Sequence, residues 1–99
     1  MFVSIVVDLG NEDSQKIVQN LLFRYGFKQI QNNTFESLSI NENNLSRLKL
    51  DLDRSTDFYD SIRIYQYPIE GTLVITSLTE KRWRRNILKE KNNGGTNAQ

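Results

Sequence analysis

The segment FVSIVVDLGNED (residues 2–13) decides the fold. Phe2 to Val7 is an apolar, mostly β-branched run broken only by Ser4, which is strand chemistry. Without clean alternation it predicts a central strand covered on both faces. The run stops at a carboxylate, Asp8. Asn11 is then a good helix N-cap, and Glu12 and Asp13 fall in a first turn, where negative charge is favoured. Asp8 has two readings. It punctuates the turn between strand and helix, or it is a functional carboxylate delivered to a strand end.

Working outward, Ile17, Val18, Leu21, Leu22 and Tyr25 form one stripe of a helix, closed by Gly26 at C′. Residues 28–37 (KQIQNNTFES) read as a second strand. Ile30 and Phe35 have opposite parity, so a bulge, a change of register or a bend at Asn32–Asn33 lies between them. SINE at Ser39–Glu42 has the capping-box form, and Leu45, Leu48 and Leu52 follow at helical spacing, with Leu50 off the stripe. SIRIYQY at 61–67 alternates, placing Ile62, Ile64 and Gln66 on one face and Arg63, Tyr65 and Tyr67 on the other. After Pro68 and Gly71, TLVITSL reads as a further strand. The order β-α-β-α-β-β predicts a ferredoxin-like α+β sandwich of the βαββαβ type, with two helices on one face of a sheet. A single domain over residues 1–91 is expected, with a basic segment at 79–91 and a disordered polar tail at 92–99 (NNGGTNAQ).

Composition narrows the chemistry. The chain has 99 residues and contains no cysteine and no histidine. Disulfides, zinc clusters, thiol catalysis and imidazole bases are therefore excluded. A bound metal would be a hard cation on oxygen ligands, such as magnesium, calcium or manganese. A domain of this size buries only about 60–65 % of its unfolded surface, a shortage that dimerisation relieves. The first apolar run is too short for a signal peptide and nothing approaches a membrane span, so a cytoplasmic protein is expected. Net charge is +1 but unevenly placed: residues 81–91 hold six basic side chains and one acidic, residues 1–80 seven basic and eleven acidic. A basic end on an acidic body suggests a polyanionic partner, or merely a solvated tail.

Four stretches together resemble the CRISPR-associated protein 2 family: VVDL ending the first strand, RYGF at 24–27, TFES at 34–37, and DSIRIYQY at 60–67. They span residues 1–78 in the right order. The resemblance implies a ferredoxin-like homodimer whose sheets face one another, with a C-terminal strand exchanged between partners. It also implies binding of duplex DNA or RNA and a bridging role beside the CRISPR-associated integrase. Finally, it implies a magnesium- or manganese-dependent endonuclease site at Asp8. A two-fold axis near the strand end would pair Asp8 with its copy, and two carboxylates recruit a cation that one cannot hold. Lys16 matches a basic position in the family's first helix, and Phe35 matches an aromatic near the interface. Val7 departs from the aromatic that often precedes the aspartate.

Lys81, Arg82, Arg84 and Arg85 are phosphate candidates around Trp83, with Arg63, Arg24 and Lys28 as further ones. If this stretch is a strand, Arg82 and Arg84 share one face, and Trp83 and Arg85 share the other. The second face then packs on a partner subunit, or Trp83 covers a sheet edge. A toxin-type ribonuclease of the same fold and a non-catalytic interaction module remain the alternatives.

Overall fold

The computed structural model describes residues 1–90; the expected disordered tail at 92–99 lies outside them. Eight elements follow in order: β1 (Phe2–Asp8), α1 (Glu12–Arg24), β2 (Lys28–Gln31), β3 (Thr34–Ser37), α2 (Glu42–Ser55), β4 (Ser61–Tyr67), β5 (Thr72–Thr79) and β6 (Arg82–Lys89). The sheet is antiparallel throughout, in the order β2-β3-β1-β4-β5-β6. Its first four strands with the two helices make the ferredoxin-like βαββαβ pattern, and β5 and β6 extend the sheet past β4. Residues 28–37 are two strands joined at Asn32–Asn33, with a register irregularity between Gln29 and Gln31. β6 closes back on β5 of its own chain over its full length.

Both helices cover the same side of the sheet. Val3, Ile5 and Val7 of β1 point to that side, as do Ile62 and Ile64 of β4 and Leu78 of β5. They meet Val18, Leu21 and Leu22 of α1 and Leu45, Leu48 and Leu52 of α2. Each fully buried aliphatic side chain contributes about 1.5–3 kcal/mol. The expectation that β1 is covered on both faces is corrected in this chain: Phe2, Ser4 and Val6 on the opposite face are only half-buried. Ile17 is likewise exposed rather than part of the core stripe.

The helix ends follow from local chemistry. The Asn11 side chain accepts the Ser14 N–H at 2.8 Å. At the far end Gly26 sits at φ +84°, where the Phe27 N–H reaches the Leu22 carbonyl and the Gly26 N–H reaches that of Phe23. This is the Schellman arrangement, and glycine avoids the left-handed penalty there. The capping-box expectation for Ser39 is corrected. The N-cap of α2 is Asn41, which accepts the Asn44 N–H at 2.8 Å, while the Ser37 hydroxyl accepts the N–H groups of Ser39 and Ile40. Asn at the boundary itself outcompetes a serine two residues upstream.

Two polar ties link separate elements. The Tyr25 hydroxyl donates to Asp51 Oδ2 at 2.7 Å, joining the end of α1 to α2. Asp60 is 2 % exposed; its Oδ1 accepts the Gly10 N–H at 2.7 Å and its Oδ2 accepts the Asp57 N–H at 2.9 Å. One carboxylate thus fastens the β1–α1 turn to the α2–β4 loop.

The hydrogen bond to Asp51, then burial and the Asp51 charge, push the Tyr25 phenol above its ordinary value of 10.0. The stabilisation is therefore complete below pH 10 and is lost as pH rises through the folded-state value. Tyr25→Phe should cost about 1 kcal/mol in urea unfolding at neutral pH, and the gap should close above about pH 10. A gap that persists unchanged in alkali would contradict this tie. Asp60→Ala leaves two backbone donors without their acceptor and should cost about 2–4 kcal/mol by the same measurement, with Asp60→Asn costing less; wild-type stability in Asp60→Ala would show the carboxylate to be dispensable.

Candidate nucleic-acid and metal site

Asp8 ends β1 and is exposed. Among the described residues its carboxylate makes no hydrogen bond and no ion pair. The duties of a turn residue are taken by others: Asn11 caps α1, and Asp60 binds the Gly10 N–H. The punctuation reading therefore has no contact to support it.

The register places Asp8 in a row across the uncovered face of the sheet. Asp8 is opposite Ser61, Ser61 opposite Thr79, and Thr79 opposite Arg82. The adjacent row on the same face runs Val6, Arg63, Ser77, Arg84. With strands about 4.8 Å apart, Asp8 and Arg82 stand roughly 14 Å from one another. An acidic side chain thus lies at the middle of the sheet and three arginines lie toward its β6 side. Arg63 also sits over the Tyr65 ring, 5.5 Å from its centroid, which orients the guanidinium. The same face carries an apolar patch, where Phe2 and Tyr67 form a tilted pair 5.7 Å apart beside Leu73, Ile75 and Leu88, and a polar β2–β3 side with Ser4, Glu36 and Lys28 in one row.

The donors at Asp8 are hard oxygens, the kind magnesium or manganese takes. Among the described residues no group of three or more acidic side chains could hold a metal ion. A single chain supplies one carboxylate, with the Ser61 hydroxyl opposite it, so it fits half of such a site.

The other sequence candidates separate. Arg85 and Trp83 lie on the helix side of β6, apart from Arg82 and Arg84, as strand parity predicts. Lys81, a phosphate candidate by sequence, is engaged within the chain. It occupies the two-residue turn before β6 with φ +60°, beside Glu80 at φ +54°. Its ammonium donates to the carbonyls of Asp53 and Thr56 and pairs with Asp53 Oδ1 at 3.4 Å. It is a clasp on the negative C-terminal end of α2. Lys16 lies on α1, in the layer opposite the arginine face, and does not join it. Phe35 is corrected as an interface residue: it is 2 % exposed and packs edge-on to Phe23 within the helix-side core. Trp83 faces a groove against α2 of its own chain. Arg24 ends α1 and Lys28 begins β2, both remote from the arginine rows.

Asp60 opens the DSIRIYQY stretch, but the sequence alone does not reveal its two backbone partners; its place after a polar turn and directly before a strand is a usual Asx position. Lys49 sits four residues after Leu45 and three before Leu52, within the leucine stripe of α2, and is half-buried where α2 borders the groove toward β6.

No curated protein matches this sequence. The family model described as CRISPR associated protein Cas2 matches residues 1–73, which runs from the start of β1 through the hairpin turn into β5 and includes Asp8, Asp60 and Arg63. On that match, joined to the ferredoxin-like arrangement of the sheet, the chain belongs to the CRISPR associated protein Cas2 family.

Proposed function

We propose that this protein is a cytoplasmic homodimer that holds duplex DNA during CRISPR spacer acquisition and bridges the integrase. The observation that carries this reading is the uncovered sheet face. It bears an exposed Asp8 with no internal partner, an apolar patch of Phe2, Tyr67, Leu73, Ile75 and Leu88, and Arg63, Arg82 and Arg84. An uncovered apolar sheet face of this kind is a natural isologous interface. Pairing through it sets Asp8 against its copy and places the two arginine groups outside the contact, where they meet phosphates.

The two Asp8 carboxylates would hold magnesium, or manganese in its place; such an ion supplies charge neutralisation at a phosphate and a more acidic bound water. The protein's own groups do the rest. The arginines neutralise the backbone and set the duplex against the dimer, and the Asp60 tie keeps the Asp8 turn from shifting. Bridging the integrase requires only this rigid, charged platform. No helix among the described residues is long and apolar enough to cross a membrane.

Asp8→Asn should abolish magnesium-dependent cleavage of nucleic acid while leaving duplex binding, and integrase-catalysed insertion of a short duplex, near wild-type levels. Removing Arg63, Arg82 and Arg84 together should flatten the dependence of log affinity on log salt by about 0.9 for each phosphate that is no longer neutralised. Cleavage that survives Asp8→Asn would contradict the metal site. An unchanged salt slope would contradict the arginine face, and cleavage confined to RNA would favour the toxin-type ribonuclease.

A further inference from the structure

On the helix side of the sheet, away from the face just described, α2 and β6 do not close on one another. They leave a groove of about 480 Å³, within the usual range of small-molecule sites. Lys49, Leu50 and Asp53 line it from α2, Thr76 from β5, and Trp83 and Arg85 from β6.

Three features of this groove are independent of one another. First, it has an apolar, planar wall: Leu50 is 59 % exposed and Trp83 37 % exposed, an unfavourable arrangement for side chains with no occupant between them. Second, its cations are unmatched. Asp53 is paired with Lys81, and among the described residues neither Lys49 nor Arg85 has an ion-pair partner. Burial, and then the charge of Arg85, hold the Lys49 ammonium below the usual lysine value, with Glu42 opposing weakly. The two like charges line the same groove. Third, the Thr76 hydroxyl is buried without a hydrogen-bond partner, the only such side-chain atom among the described residues. Native proteins rarely leave a buried polar group unpaired.

An inorganic anion would satisfy the cations and ignore the wall. A neutral apolar molecule would do the reverse. A planar ring system joined to a phosphate uses both. We propose that this groove binds a nucleoside monophosphate, with its base against Trp83 and Leu50 and its phosphate between Lys49 and Arg85. Stacking on an aromatic side chain tolerates any base, so the phosphate and the ring together set affinity rather than base identity. Lys49 and Arg85 lie on the opposite face of the sheet from the arginine rows, although Arg84 of β6 also borders the groove, so substituting these two cations tests the site separately from nucleic-acid binding there.

Trp83 is the only tryptophan in the chain, which makes its fluorescence a direct reporter. Titrating adenosine monophosphate into the full-length protein at low salt should give a saturable change in emission. Lys49→Gln and Arg85→Gln should each weaken binding about tenfold, as loss of a charge-assisted hydrogen bond does. Arg47→Gln, which removes an exposed charge from α2 without touching the groove, should not. Adenosine alone and inorganic phosphate should each bind more weakly than the nucleotide. The substituted side chains are exposed or half-buried, and a melting curve for each variant confirms the fold. The proposal is overturned by a flat titration, by phosphate binding as tightly as the nucleotide, by equal loss in Arg47→Gln, or by a response to oligonucleotides alone. Duplex affinity measured on the same variants should stay unchanged, so failure here is distinguishable from failure of the arginine face.

Discussion

The two helices of this protein cover one side of a six-stranded sheet, and nothing in the described chain covers the other. Strand alternation makes this a strict division. Every residue that points to the helices is matched by a neighbour that points away. Val3, Ile5 and Val7 therefore build the core, while Phe2, Ser4, Val6 and Asp8 are committed to the opposite face by the same backbone. The candidate site is the unavoidable complement of the core: Asp8 and the arginines of β4 and β6 share a face because each lies one residue from a core-facing position or its register equivalent.

That face is useful only if its edges are rigid. Asp60 is the central strut. Its two oxygens hold the turn leaving β1 and the loop entering β4, so Asp8 and Ser61 are fixed in register on adjoining strands. Lys81 plays the corresponding part at the other end of the sheet. The turn between β5 and β6 takes two non-glycine residues into the left-handed region, at some conformational cost, and the bonds from Lys81 to the C-terminal carbonyls of α2 compensate it. The orientation of β6, and with it the aim of Arg82 and Arg84, depends on that clasp.

Much of this is legible in the sequence. The alternation of Ile62, Ile64 and Gln66 with Arg63, Tyr65 and Tyr67, the leucine stripe of α2, the Asn11 cap and the Gly26 terminus are each set by chemistry within a few residues, and the structure contains all of them. Local pattern cannot supply partnership across the chain. Family resemblance puts Phe35 at an interface, yet β3 places it under Phe23 of α1, in the core. By composition Lys81 is one of several basic candidates; the turn brings it to α2, 25–28 residues upstream. The apolar run in β1 suggests coverage on both sides, yet the helices of the described residues cover only one. In the dimer proposed above, a second copy would supply the other covering layer.

The most direct test is the separation of the two Asp8 positions. The chain has no cysteine, so Asp8→Cys gives a single attachment point for a spin label. Pulsed dipolar spectroscopy should show one narrow, short inter-label distance, with equilibrium sedimentation giving a dimer. A monomer without dipolar coupling, or a dimer whose labels are far apart, would contradict the paired-carboxylate centre.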